Sequence, residues 1–172
     1  MENYRQLFSP DTELGRWLAT RNTMLRIGRN LFVHAGLSAR LLERDLEMDT
    51  LNARMSEGLY RTSKERREDP TLEFLYRSAG PVWYRGMVCT DEKYDPLTPE
   101  QTDALLRRYN ADRLLVGHTI FPDISTFHDG RVIAVNVQNE LNRRKNRGRA
   151  VLIEGSRISV VGNRGVKRVL EE

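Results

Sequence analysis

The chain has 172 residues, 39% of them hydrophobic and 30% charged, which suits one globular domain with a core of its own. No apolar run approaches the length of a membrane span, and the opening Met1-Glu2-Asn3-Tyr4-Arg5-Gln6 lacks a signal peptide's apolar core, so a cytoplasmic address is expected. The single cysteine, Cys89, excludes an internal disulfide and any cysteine-cluster metal site. The formal charge is +4, and its excess is local.

In chain order, Ser9-Pro10-Asp11 reads as a helix start, with serine as N-cap and proline at the first helical position. Leu14, Trp17 and Leu18 then fall on one face of a short helix ending near Arg21-Asn22. After the turn Ile27-Gly28-Arg29-Asn30, the run Leu31-Phe32-Val33-His34-Ala35-Gly36 predicts a strand that ends on a histidine and small residues. Ser38 is expected to cap a helical stretch through Leu41, Leu42, Leu46, Leu51 and Met55, broken near Gly58. A second helical piece runs from Thr71 to Ser78. Gly80-Pro81 ends it and leads to Val82-Trp83-Tyr84-Arg85-Gly86. There a guanidinium fork could clamp phosphate or carboxylate oxygens, or simply stack on Trp83 or Tyr84.

Thr98-Pro99-Glu100-Gln101 carries a capping box with proline at the first position. Leu105, Leu106 and Tyr109 supply the buried face of that helix, and Asn110 its stop. It leads into Leu114-Leu115-Val116-Gly117-His118-Thr119, a second apolar strand that delivers a histidine to a bend. Two such strands in one chain, with small residues beside each imidazole, point to a site where the strands end. Asp129-Gly130 predicts a type I′ hairpin between Ile124–Phe127 and Val132–Val137. His128 sits at its tip, where an exposed histidine without a role is expected. Ala150–Glu154, Gly155-Ser156 and Ile158–Val161 form a second hairpin pattern. Between the hairpins, Arg143, Arg144, Lys145, Arg147 and Arg149 make a basic run. It reads as a solvated loop, or as a phosphate-binding stretch without the interleaved aromatics that a single-strand binder uses.

Taken together and in order, FVHAGLS (residues 32–38), VWYRG (82–86) and LLVGHT (114–119) resemble the later motifs of calcineurin-like metallophosphoesterases. The closest likeness is to the phosphoprotein-phosphatase branch and its Shewanella-like bacterial relatives. The resemblance implies an α/β (α+β) fold: part of a metallophosphoesterase β-sandwich, a mixed sheet with helices outside. It implies a phosphoester hydrolase using two divalent metals, manganese, iron or zinc, to activate water and neutralise phosphoryl oxygens. On that likeness His34 and His118 match metal ligands, and Arg85 matches an arginine that holds the substrate phosphate. The family's first three motifs, Gly-Asp-x-His, Gly-Asp-x-x-Asp-Arg-Gly and Gly-Asn-His-Glu/Asp, do not occur. Ala35 replaces a usual glycine, and Asn136 stands where relatives often carry aspartate. The likeness is thus to the carboxyl-terminal half of such a domain over residues 1–172, with the amino-terminal half missing.

Two histidines would leave a metal two-coordinate, well short of the usual four to six ligands. The first expectation is therefore a truncated metal-dependent phosphatase of the serine/threonine type, weakly active or inactive alone, acting on a phosphorylated protein or small molecule. Its missing half would come from a longer chain or a partner. The alternative is a catalytically dead binding or scaffold protein, expected to bury its exposed strand faces and edges against another copy as a homo-oligomer. Nucleic-acid binding ranks third, and no membrane partner is expected.

Overall fold

A computed structural model describes residues 6–171 of the chain. Among them, five strands form a mixed sheet in the order β1-β2-β3-β5-β4, and three form an antiparallel sheet in the order β6-β7-β8. In the first sheet β2 (Asn30–Val33), β3 (Arg113–Val116) and β5 (Val132–Ala134) run parallel, and β1 (Met24–Ile27) and β4 (Ser125–Phe127) close the edges antiparallel. The second sheet is β6 (Ala150–Glu154), β7 (Arg157–Val161) and β8 (Lys167–Glu171).

Side chains alternate across a strand, so each central strand faces two layers. Leu31, Val33, Leu114, Val116, Val132 and Ala134 join the larger core, on the helical side. Leu115 and Ile133 point the other way and pack with Ile158 and Val160 of the second sheet. The architecture is therefore helices, mixed sheet, second sheet, and the expected α/β class holds. No described helix is long and apolar enough to cross a membrane.

The helices begin where local chemistry favours it. In α6 (Pro99–Arg108) the Thr98–Gln101 capping box is complete, and Leu105, Leu106 and Tyr109 are buried. Asn110, at φ +50°, ends it in the left-handed region that asparagine tolerates. In α5 (Pro70–Tyr76) Asp69 accepts from the Thr71 and Leu72 amides. The others are α1 (Glu13–Ala19), α2 (Arg40–Glu43), α3 (Met48–Gly58), α4 (Ser63–Arg67) and α7 (Asn139–Arg144).

Several expectations are corrected. The cap of α1 is Thr12, which accepts from the Gly15 amide at 3.0 Å, rather than Ser9. Its apolar face is not buried: Leu14 is 44% and Trp17 53% exposed. Ser38 caps nothing; its buried hydroxyl donates to the Ala79 carbonyl at 2.8 Å. The hairpin loop after β4 spans four residues, because Phe127 pairs with Val132. Strands β1 and β8 and helix α7 carry too little apolar patterning to be anticipated, and α7 occupies part of the basic run.

Asn52 on α3 is also a structural residue that the pattern hid. Its buried amide accepts from the Met24 N–H at 2.9 Å and donates to the Met24 carbonyl at 2.8 Å. It thereby completes the free edge of β1 like a short extra strand. An Asn52→Leu substitution orphans both groups and is expected to cost about 1–3 kcal/mol, read as a lower urea midpoint. An unchanged midpoint would mean that pairing with β2 alone holds this edge.

Candidate functional site

Parallel pairing of Val33 with Val116 brings the carboxyl ends of β2 and β3 together. The next residues continue the contact: the Gly117 amide donates to the His34 carbonyl at 2.8 Å. A Cβ at position 117 would lie 3.2 Å from that carbonyl, so the glycine serves a close backbone approach. His34 Nε2 and His118 Nδ1 then stand 3.1 Å apart, with ring centroids 5.0 Å apart. One ring donates and the other accepts. When His34 Nε2 carries the proton, His118 is protonated on its own Nε2.

The third motif is tied to the same place. The Pro81 carbonyl accepts from the Ala35 amide at 2.9 Å, and the Leu37 amide lies 3.2 Å from the Met87 sulfur. Trp83 meets His118 edge-on at 5.5 Å between centroids. Arg85 Nη1 donates to Thr119 Oγ1 at 3.2 Å. The guanidinium stacks on neither Trp83 nor Tyr84 and instead lies 6.0 Å from the Tyr94 ring. Four of its five N–H donors keep no partner among the described residues. Thr119 and Trp83 were not singled out from sequence; both lay inside the quoted motifs, but neither is a titratable group.

The small residues beside the imidazoles do not simply leave space. A Cβ on Gly36 would meet the Tyr84 carbonyl at 3.0 Å, so this glycine, too, lets two loops close on each other.

His118 is under two constraints. Its φ is +57°, in the left-handed region where a non-glycine residue is strained. Its Nε2 is buried without a hydrogen-bond partner among the described residues. Burial holds its pKa below the ordinary value, with further lowering from the Arg85 and His34 charges. The ring is thus neutral near neutral pH.

Of the remaining candidates, His128 is half-buried, not a free tip. Its Nε2–H donates to the Met87 carbonyl at 3.1 Å, and Nδ1 lies 3.3 Å from the Thr102 hydroxyl. The basic run is partly structural as well. Arg147 bonds Asn142 Oδ1 at 2.7 Å and the Pro122 carbonyl at 3.0 Å, and Arg149 pairs with Asp123 at 2.7 Å. Cys89 packs against the apolar core.

No protein-family model matches the sequence, and no curated protein matches it. Solved structures do. A structure of cold-active protein tyrosine phosphatase at 1.1 Å matches with a TM-score of 0.87 and 30% identity, over 98% of this chain and 48% of that one. A point mutant of the cold-active enzyme gives 0.86 at 29% identity. The cold-active protein-tyrosine phosphatase of a psychrophilic Shewanella species gives 0.87 at 29%. Coverage is the same for both. The chain spans about half the length of the solved proteins it matches.

The similarity is to proteins named as phosphatases, and it corrects the finer expectation. The matched proteins are named as tyrosine phosphatases, which does not support the calcineurin-like, serine/threonine-type assignment. The expected divalent metal pair is overturned with it. The described residues agree, since they contain no group of three or more His, Cys, Asp or Glu side chains able to hold a metal. His34 and His118 alone do not make such a site.

The depressed pKa of His118 predicts a pH dependence. As pH falls through about 6.5, the ordinary value for histidine, the unfolded chain takes up the proton before the native one. Folding stability attributable to His118 is therefore full above that pH and is lost as pH falls toward the lower folded pKa. The thermal midpoint of the native chain should drop more between about pH 7.5 and pH 5 than that of His118→Asn, whose residue tolerates the same backbone. Parallel pH profiles for the two proteins would remove His118 as the cause.

Proposed function

We propose that this chain carries the phosphate-binding part of a phosphatase, acting on phosphorylated substrates and, within that class, on tyrosyl phosphate. The observation that carries the reading is the meeting, at one strand end, of unfilled Arg85 donors with an unpartnered imidazole nitrogen on His118. The Arg85 fork would take two phosphoryl oxygens, while its bond to Thr119 holds the guanidinium in place. With His34 donating to its Nδ1, the neutral His118 ring carries its proton on Nε2 and would donate it to a phosphoryl or leaving-group oxygen. Trp83, 54% exposed beside His118, offers an aromatic surface to an aryl group such as tyrosine's. The half-length match to cold-active tyrosine phosphatases supports residues 1–172 as one domain-sized part of a larger phosphatase domain. The remainder would then lie in the same chain or a partner.

Phosphate binding, followed by 31P NMR and calorimetry, tests the reading. Charge-assisted hydrogen bonds contribute about 1.5–3 kcal/mol, so Arg85→Ala should weaken inorganic phosphate by roughly tenfold to a hundredfold. Arg85→Lys should recover only part of that, because an ammonium lacks the fork. Equal phosphate affinity in all three proteins would overturn the assignment.

A second reading, binding without turnover, is favoured by the small set of ionisable groups gathered at the imidazole pair. In that case phosphotyrosine binds and depends on Arg85, yet p-nitrophenyl phosphate is not hydrolysed. Turnover by the chain, abolished by His118→Asn, would exclude it.

A further inference from the structure

Beside Arg85 the surface opens into a cavity of roughly 650 Å³, within the range of about 300–1,000 Å³ typical of small-ligand sites. Its wall brings together Arg40, Arg66, Arg67, Arg77, Arg85 and Lys93, against only two carboxylates, Glu73 and Asp95. These cations come from α2, α4, the loop that follows α5, and the 3-10 turn Glu92–Tyr94, so distant parts of the sequence converge on one basic concavity.

Some of them are already engaged. Arg66 donates to the Gly58 and Leu59 carbonyls and lies 3.9 Å over the Tyr76 ring. Arg77 pairs with Glu73 at 3.2 Å, and Lys93 with Asp91 at 2.8 Å. Arg40 and Arg67 have no hydrogen-bond or ion-pair partner among the described residues. Like charges held around one concavity raise its potential and attract anions. With Arg85 at the rim, the free guanidinium groups lie next to the proposed phosphate position.

We propose that this cavity is a second anion subsite, which receives acidic residues flanking the phosphorylated residue of a protein substrate. The proposal rests on the phosphatase reading above, and it names the substrate class as acidic phosphopeptides. Planar guanidinium forks match carboxylate geometry. A polynucleotide fits less well: Arg66 already covers Tyr76 and Lys93 lies 4.8 Å from the Tyr94 ring, so these rings are not free to stack bases. The cations also surround a pocket, whereas a nucleic-acid backbone calls for an extended track.

Fluorescence anisotropy on the whole chain can test this with three labelled peptides of equal length. One carries phosphotyrosine between acidic residues, one phosphotyrosine between serines, and one the acidic flanks without phosphate. The native chain should prefer the acidic phosphopeptide over the serine one by about tenfold, the effect of one charge-assisted contact. The preference should fall as salt rises. In the double variant Arg40→Gln, Arg67→Gln the ratio should approach one, with inorganic phosphate affinity unchanged. Both side chains are exposed, and an unaltered circular dichroism melt confirms that the variant folds.

A native ratio near one, or a ratio that the double variant leaves intact, overturns the subsite. So does a single-stranded oligonucleotide that competes as well as the acidic peptide. The two readings fail separately. Loss of phosphate binding, with Arg40- and Arg67-dependent binding of the unphosphorylated acidic peptide retained, would remove the phosphatase reading and leave the anion subsite standing.

Discussion

The arrangement depends on one pairing, the parallel register of β2 and β3 with Val33 opposite Val116. Parallel strands finish at the same edge of a sheet, so residues just beyond them become neighbours although 84 positions separate His34 from His118. Antiparallel pairing would send them to opposite edges. The register does more than bring them close. It continues past the strand ends as the Gly117 amide to His34 carbonyl bond, which fixes where each imidazole starts. Burial on both faces enforces that register, because a slip of one residue would exchange Leu114 and Val116 with Leu115 between the helical layer and the second sheet.

The loop from Ala79 to Met87 adds the third side of the site, and it is held by polar groups rather than by regular structure. Its carbonyls at Ala79 and Pro81 accept from Ser38, Ala35 and Gly36. Tyr84, 3% exposed, donates its hydroxyl to the Asp95 carbonyl at 2.5 Å, and burial pushes its pKa up. A buried phenol kept neutral in this way is a fixed strut between two stretches of loop. Arg85, the next residue, therefore projects from a rigid base even though no helix or strand carries it.

Much of this was legible where chemistry is local. The Thr98–Gln101 capping box, the Gly155-Ser156 hairpin and the two histidine-ended strands all announce themselves within six residues or fewer, and all stand as expected. What stayed hidden depends on partners far along the chain. Asn52 looks like any polar helix residue until Met24 is placed against it. His128 looks like an exposed tip until Met87 and Thr102 arrive. Met24–Ile27 alternates too weakly to read as a strand, since three of its four residues are exposed. The three-motif resemblance named residues that the structure brings together, yet its metal chemistry did not carry over, because ligand sets depend on side chains that these motifs do not contain. Likewise the cavity beside Arg85 draws on helices whose charges read, singly, as solvated faces.

The distribution of unsatisfied groups gives the strand end its meaning. Four buried side-chain atoms lack a partner among the described residues: Asn30 Oδ1, Arg108 Nε, Asn142 Nδ2 and His118 Nε2. Three of these belong to groups otherwise engaged, Arg108 in ion pairs with Asp45 and Glu47, Asn142 as acceptor from Arg147, and His118 through Nδ1 against His34. His118 differs in kind. Its orphaned nitrogen coincides with a left-handed backbone, a pKa lowered by burial and nearby cations, and an arginine with most of its donors unfilled. The left-handed backbone and the buried, unpartnered nitrogen each cost folding free energy, and strain of this sort persists only where surrounding structure over-determines it. Here the surroundings are the β2–β3 register and the Ala79–Met87 loop. The first sets the His118 backbone and the second carries Arg85, so the unpartnered imidazole nitrogen and the unfilled guanidinium are brought to the same strand end.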